Sequence, residues 1–152
     1  MSTASLISDP AAIAATCSRL AMASRVALDS EFLRERTYRA ELALVQLADA
    51  QSIALIDPQP GSGLEPLVDL LLAPGCVKVL HAARQDVEVL LSLTRVPLAP
   101  VFDTQIAAGL LGYPPQIGYA DLVQRVLGVP IAKAAGRNLA RTDWTRRPLT
   151  GE

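Results

Sequence analysis

The sequence predicts one α/β domain with a mixed β-sheet flanked by helices. Three strand-like runs follow one another early in the chain, and strand and helix patterns alternate after them. Consecutive strands favour antiparallel pairing and strand-helix alternation favours parallel pairing, so both are expected in one sheet. At 152 residues the chain has the length of one ordinary domain.

The first half of the chain supplies most of the predicted strands. Short apolar or alternating runs predict strands at 5–8, 25–32, 41–49 and 52–58. A short link joins the last two, which therefore form a hairpin, and the last three are expected to lie antiparallel. Asp9 followed by Pro10 predicts the start of a helix that runs to about Met22.

The second half is predicted to be mainly helical around one buried strand at 77–81. Apolar periodicity predicts helices at 64–72, 83–93, 104–111 and 119–128. Pro74 and Gly75 end the first of them, and Gly128 ends the last. Residues 97–102 are expected to cross over without forming an element.

Composition excludes several classes of protein. The chain is 51% hydrophobic and 19% charged, which favours a folded domain over a disordered one. A signal peptide is not predicted, because no basic region precedes the first apolar run and Arg19 interrupts it. Cys17 and Cys76 lack metal-ligand spacing and are interpreted as buried free thiols. A cytoplasmic protein is expected.

Charge is unevenly distributed along the chain. The net charge of −1 is not that of a typical nucleic-acid binder. From Arg125 onward, however, six side chains are basic and two acidic. This excess indicates either an ordinary solvated surface or a phosphate-contacting tail beside an acidic centre.

Two carboxylates, Asp29 and Glu31, stand two positions apart near the end of the strand at 25–32. The pleat of a strand places them on one face about 7 Å apart, where their charges repel. Open α/β sheets build their sites at the carboxyl ends of strands, and carboxylate oxygens suit Mg²⁺ or Mn²⁺. Two interpretations stay open: a divalent metal site, or an exposed strand end whose acids pair with Arg34 or Arg36.

Asp86 lies on the apolar face of its predicted helix. Val89, Leu90 and Leu93 follow it at helical spacing, whereas Glu88 points to solvent. A buried carboxylate needs a partner, because an unpaired buried charge costs several kcal/mol. The partner is either local backbone N–H groups or a metal ion shared with the two carboxylates of the strand.

Three long segments resemble ribonuclease D, a member of the DEDD superfamily of 3'-5' exonucleases. The first two motif regions of that family resemble LDSEFLRERTYRAELALVQLAD and KVLHAARQDVEVL, and the following stretch resembles VFDTQIAAGLLGYPPQIGYADLVQRVLGV. The resemblance runs from about residue 5 to the end and includes RTDWTRRPLT. It implies a ribonuclease H-like fold and a two-metal mechanism that removes nucleotides from RNA 3' ends.

The resemblance also implies roles for the three acids as catalytic residues and ligands of two Mg²⁺ or Mn²⁺ ions. Asp29 would bridge both ions, Glu31 would bind the ion that activates water, and Asp86 would support the other. The family's third motif, Y-x-x-x-D, follows the RRPLT segment, and this sequence ends at Glu152 before it. We therefore expect residues 1–152 to form an incomplete 3'-5' exonuclease domain without the C-terminal helical RNA-binding domains.

Four more residues are candidates for substrate binding, and each has a structural alternative. Phe32 either packs against the terminal base or into the core. His81, Gln85 and Asp103 are alternatively a core or supporting histidine, a surface amide and a helix N-cap. Trp144 either stacks on RNA or anchors the end of the chain to the core.

The function that the resemblance implies is that of a 3'-5' exoribonuclease trimming RNA 3' ends, with tRNA precursors as expected substrates. Activity is expected to be reduced by the absence of the third motif. The alternative is a catalytically inactive ribonuclease H-like module that binds RNA or a protein partner. The sequence does not fix the oligomeric state.

Overall fold

A computed structural model describes residues 6–33, 40–59, 63–131 and 143–147 of the chain. The strands in this part are β1 (Leu6–Ile7), β2 (Arg25–Leu33), β3 (Glu41–Ala48), β4 (Ile53–Ile56), β5 (Val77–Leu80) and β6 (Val101–Asp103). The helices are α1 (Pro10–Leu20), α2 (Glu65–Leu72), α3 (Arg84–Thr94), α4 (Thr104–Leu110) and α5 (Tyr119–Leu127).

The strands form one mixed six-stranded sheet in the order β1-β4-β3-β2-β5-β6. Strands β2, β3 and β4 pair antiparallel, as predicted, and the other neighbouring strands pair parallel. Within the described chain only β3 runs against the others. The carboxyl ends of the remaining five strands therefore meet at one edge of the sheet, here called the carboxyl edge.

Alternation along β2 sets which side chains enter the core. Val26, Leu28 and Ser30 are buried, whereas Ala27 and Asp29 are exposed. The strand therefore has a buried face and an exposed face, as the pleat of a strand implies. Val26 and Leu28 of the buried face belong to one hydrophobic core with side chains of α1, α2 and α3, which contribute Ile13, Cys17, Leu20, Leu67, Leu70, Leu71 and Leu90.

Local signals explain the first helix. Asp9 is the N-cap of α1, where its Oδ2 accepts a hydrogen bond of 2.8 Å from the backbone N of Ala12. Pro10 occupies the first turn, and the fixed φ of proline suits that position. Cys17 and Cys76 are buried free cysteines, as predicted.

A lysine lies in the core where the sequence showed only an apolar strand. Lys78 is fully buried, and its Nζ donates to the backbone carbonyls of Ala73, Cys76 and Ala99 at 2.9, 2.8 and 3.1 Å. Burial lowers the pKa of Lys78. Three carbonyl acceptors match the three donors of an ammonium, so the cation is satisfied without a carboxylate.

The second half departs from expectation at one strand. Residues 97–102 were expected only to cross over, but Val101–Asp103 forms β6 and pairs with β5. The strand is short and poorly buried, so it carries no alternation that the sequence could reveal.

Helix α5 exposes Val126 and Leu127 and has no buried side chain. No helix in the described ranges is long and apolar enough to cross a bilayer.

Candidate active site at the carboxyl edge

Three carboxylates from two elements lie near one another at the carboxyl edge. Asp29 and Glu31 stand near the end of β2, and Asp86 stands in the first turn of α3. Asp29 is exposed, Glu31 is half-buried, and Asp86 is buried, with 8% of its surface accessible. We call Asp29, Glu31 and Asp86 the acid cluster.

Ser30 joins the helix to the strand. Oδ1 of Asp86 accepts hydrogen bonds from the backbone N of Ser30 at 3.1 Å and from its Oγ at 2.5 Å. The predicted position of Asp86 on the buried face of its helix is therefore confirmed, and Glu88 is exposed as expected. Ser30 lies between Asp29 and Glu31 in the sequence, and the charge of Asp86 acts on the pKa of both acids.

The acid cluster is electrostatically strained. Although part of Asp29 is exposed to solvent, desolvation by the surrounding residues and the charge of Asp86 raise its pKa, and one backbone hydrogen bond from Ser30 opposes the shift. Burial, then the charges of Asp29 and Asp86, raises the pKa of Glu31 to about 7. Burial also raises the pKa of Asp86, against the hydrogen bonds of Ser30. A nearby cation would relieve this repulsion.

The chemistry of the cluster fits a divalent metal ion. Carboxylate oxygens are the ligands that Mg²⁺ and Mn²⁺ prefer, and like charges in one place are stabilised by a cation between them. In the part of the chain that the structure describes, no three histidine, cysteine, aspartate or glutamate side chains already form a group able to hold a metal. Ligation by the acid cluster therefore stays a prediction.

His81 makes contacts that hold neighbouring segments of the protein together. It follows β5 at the carboxyl edge, with Nδ1 2.9 Å from Oγ1 of Thr104 and Nε2 2.9 Å from the carbonyl oxygen of Ile117. A carbonyl only accepts, so Nε2 carries a hydrogen. The ring also meets Tyr119 edge to face at 5.6 Å. These contacts agree with the structural alternative, and substrate binding by His81 stays a prediction.

Asp103 is a helix N-cap, as the structural alternative predicted. Its carboxylate accepts hydrogen bonds from the backbone N of Gln105 and Ile106 in α4, and of Ala82 and Ala83 before α3. Despite partial burial, these four bonds hold its pKa below the ordinary value. Asp103 thereby joins the starts of α3 and α4, and a role in substrate binding is untested.

The remaining candidates have mixed surroundings. Gln85 is exposed, as a surface amide would be, while Phe32 and Trp144 are half-buried. None of these observations tests contact with a substrate. The proposed partners of the strand acids, Arg34 and Arg36, lie outside the described residues.

Sequence reasoning missed the role of Arg147, which it counted only among the basic residues from Arg125 onward. Nε and Nη2 of Arg147 donate to the two carboxylate oxygens of Asp57 at 2.6 and 2.7 Å, and Nη2 also donates to the carbonyl of Ala43 at 2.9 Å. Asp57 is buried at the end of β4. Arg146 pairs locally with Asp143 at 3.0 Å. The ion pair of Arg147 with Asp57 joins residues that are far apart in the sequence, so no local sequence pattern predicts it.

Comparison with known proteins identifies the family. A family model described as 3'-5' exonuclease matches residues 5–152, nearly the whole chain. The chain belongs to the 3'-5' exonuclease family. Members of this exonuclease family are generally dependent on divalent metal ions.

Relatives of this member of the exonuclease family are named ribonuclease D. It is 47% identical over 146 residues to one from Zymomonas mobilis, covering 95% of this chain and 36% of the relative. It is also 47% identical over 146 residues to one from Sphingobium indicum, covering 95% of this chain and 37% of the relative. The chain thus spans little more than a third of the curated relatives it matches.

The exonuclease fold is confirmed by a solved structure. The crystal structure of Escherichia coli RNase D matches with a TM-score of 0.88 and 38% identity, covering 98% of this chain and 39% of that one. The expected ribonuclease H-like sheet with flanking helices is therefore confirmed. The expected domain boundaries, and the absence of further domains, stay predictions.

Proposed function

We propose that this chain is the nuclease part of a ribonuclease D-like 3'-5' exoribonuclease that uses divalent ions to shorten RNA from its 3' end. One observation carries the proposal. Asp86 of α3 is fixed by Ser30 of β2, and its charge raises the pKa of Asp29 and of Glu31, so three acids from two elements lie close enough at the carboxyl edge to repel one another. The E. coli structure with the same fold is described as an exoribonuclease involved in structured RNA processing.

Asp29, Glu31 and Asp86 would hold the ions through their carboxylate oxygens. When bound, two such ions lower the pKa of an attacking water and stabilise the leaving 3' oxygen. Ser30 keeps Oδ1 of Asp86 engaged, which fixes the direction of the carboxylate. Exposed Asp29 keeps the cluster open to solvent, where an RNA end would approach.

We further propose tRNA precursors or other structured RNAs as substrates and the cytoplasm as the compartment. The names of the relatives support RNA as the substrate class. Activity is checked by comparing the rate of this chain on a 3'-labelled single-stranded RNA with that of E. coli RNase D.

Metal binding tests the proposal most directly. We expect Mn²⁺ to bind the purified chain in calorimetry, and binding to weaken by at least roughly tenfold in Asp29→Asn and Asp86→Asn. Glu88→Gln is the matched control, because Glu88 is an exposed acid two residues from Asp86 on the same helix. Equal Mn²⁺ affinity in all three variants and in the wild type would contradict the proposed site.

The alternative function is an inactive ribonuclease H-like module that binds RNA or a protein. Among the described residues, no three histidine, cysteine, aspartate or glutamate side chains form a group able to hold a metal, and this alternative requires none. RNA binding without any Mn²⁺ binding would support it. Mn²⁺ binding that depends on Asp29 and Asp86 would instead support the nuclease site.

A further inference from the structure

Strand β3 is irregular beside the acid cluster. Glu31 pairs with Leu44 and Phe32 with Leu42, so Ala43 is an extra residue that faces no partner on β2. Such a bulge bends the strand and changes the direction of nearby side chains, and bulges are frequent next to active sites. This bulge coincides with the step from Glu31 to Phe32, where an acid of the cluster stands.

The backbone of Ala43 is also beyond the reach of the other neighbouring strand. The ladder between β3 and β4 ends at the pair Val45 and Ile56. Ala43 is fully buried, so a carbonyl without a partner would be costly there. Nη2 of Arg147 supplies the missing donor at 2.9 Å.

Arg147 is itself fixed in place. Its guanidinium forms a bidentate pair with Asp57, whose side chain is 7% exposed, and Nη1 donates to the carbonyl of Trp144 at 2.7 Å. Planar bidentate pairing orients a guanidinium in a way that the point charge of a lysine cannot reproduce. The donor to Ala43 is therefore preorganised.

We infer that Arg147 is a positioning residue for the acid cluster, acting through the bulge at Ala43 to set the direction of Glu31. The inference rests on the proposed function, since the direction of Glu31 matters only if the cluster binds metal. Asp57 contributes to the same positioning, because it holds the guanidinium that reaches Ala43. Arg147 thus serves the site without touching substrate or metal.

The direction of the expected effect separates positioning from simple electrostatics. Removing a positive charge from the protein can by itself only strengthen the binding of a cation. If Arg147 positions Glu31, Arg147→Ala instead weakens Mn²⁺ binding, by roughly tenfold as for other residues that orient metal ligands. Arg147→Lys keeps the charge but not the bidentate geometry, and we expect it to weaken Mn²⁺ binding as well.

Two arginines serve as matched controls. Arg19 pairs with Asp49 at 2.5 Å and also contacts Ser52, at the opposite edge of the same β3-β4 hairpin. Arg19→Ala therefore breaks a long-range arginine-aspartate pair far from the cluster. Arg146→Ala removes an exposed charge next to Arg147. Both variants should keep wild-type Mn²⁺ affinity.

The experiment combines Mn²⁺ calorimetry with the amide NMR shifts of Glu31, Phe32 and Ala43 in metal-free protein. Weaker Mn²⁺ binding together with shifted amides in Arg147→Lys supports the inference. Folded Arg147→Lys or Asp57→Asn protein with wild-type affinity and unchanged amides overturns it. Wild-type protein that binds no Mn²⁺ overturns the proposed function, whereas shifted amides would still show that Arg147 sets the bulge.

Discussion

At the scale of single residues, the acid cluster carries a cost to folding. Glu31 has a pKa near 7 because burial and the charges of Asp29 and Asp86 disfavour its ionised form. Only one partner within the described contacts, Ser30, offsets the burial of Asp86 with a side-chain hydrogen bond. The metal-free domain should therefore gain stability when a charge of the cluster is removed.

Glu31→Gln should stabilise the metal-free chain at alkaline pH. The pKa of Glu31 rises on folding from 4.5 to about 7, so the folded chain keeps a proton that the unfolded chain loses, and stability falls as pH rises through this window. Glutamine cannot ionise, and at about pH 8 we expect a gain of about 1 kcal/mol, allowing for solvent screening. Near pH 4.5, the lower end of this pH window, the gain in stability should vanish.

Urea unfolding in a chelator, followed across this pH range, measures the effect. Glu88→Gln is the control, because it removes an exposed acid and should change stability by less than about 0.5 kcal/mol. A Glu31→Gln variant less stable than wild type at the alkaline end would show that Glu31 makes favourable contacts that outweigh the repulsion.

At the scale of elements, one small network joins β5, α4 and the loop before α5. The carbonyl of Ile117 accepts from Nε2 of His81 and from Nε2 of Gln105 at 3.0 Å. Oγ1 of Thr104 donates to the carbonyl of Leu80 at 3.0 Å and lies against the ring of His81. The loop is therefore attached to the carboxyl edge by side chains from two elements.

His81→Ala should loosen this loop while leaving the sheet intact. Losing one hydrogen bond of about 1 kcal/mol to Ile117 raises local opening by roughly five- to tenfold. Hydrogen exchange should therefore quicken at the amide of Ile117, which bonds the carbonyl of Pro114, and stay unchanged at Val45 in β3. Unchanged exchange at Ile117 would mean that Gln105 alone holds the loop.

The same scale shows what the sequence could and could not predict. Long, periodic elements such as β2 and α3 were predicted within one or two residues, because their side chains alternate between core and solvent. The bulge at Ala43 was not predicted from the sequence. Ala43, Leu44 and Val45 are all buried and follow one another, so only the pairing with β2 reveals the extra residue. Lys78 was missed because its partners are backbone carbonyls, which leave no trace in sequence.

At the scale of the whole molecule, topology gathers residues that are far apart in sequence. Because every described strand except β3 runs in one direction, the ends of β2, β4, β5 and β6 reach the same edge. The face of Asp86 could be predicted from helical period, but its contact with Ser30 depends on how α3 docks. Likewise, Asp57 and Arg147 meet only after the sheet has formed.

The pair of Asp57 and Arg147 should carry part of the acid sensitivity of the fold. The backbone N of Asp57 donates to Ile7 in β1, so this residue links β1, β4 and the segment at 143–147. The hydrogen bonds of Arg147 hold the pKa of Asp57 below its ordinary 3.8, against partial burial. Its stabilising contribution is therefore present above pH 3.8 and is lost as pH falls through the lower folded value.

Asp57→Asn tests this link. At neutral pH we expect a loss of about 2 kcal/mol in the free energy of unfolding, as for a buried charged hydrogen bond. The difference from wild type should shrink once pH drops below 3.8, where Asp57 begins to protonate in the unfolded chain. Asp69→Asn is the control, because Asp69 is exposed on α2 and its removal should shift neither curve. A difference between Asp57→Asn and wild type that is independent of pH would assign the loss to packing, since only an ionised Asp57 holds Arg147 by charge.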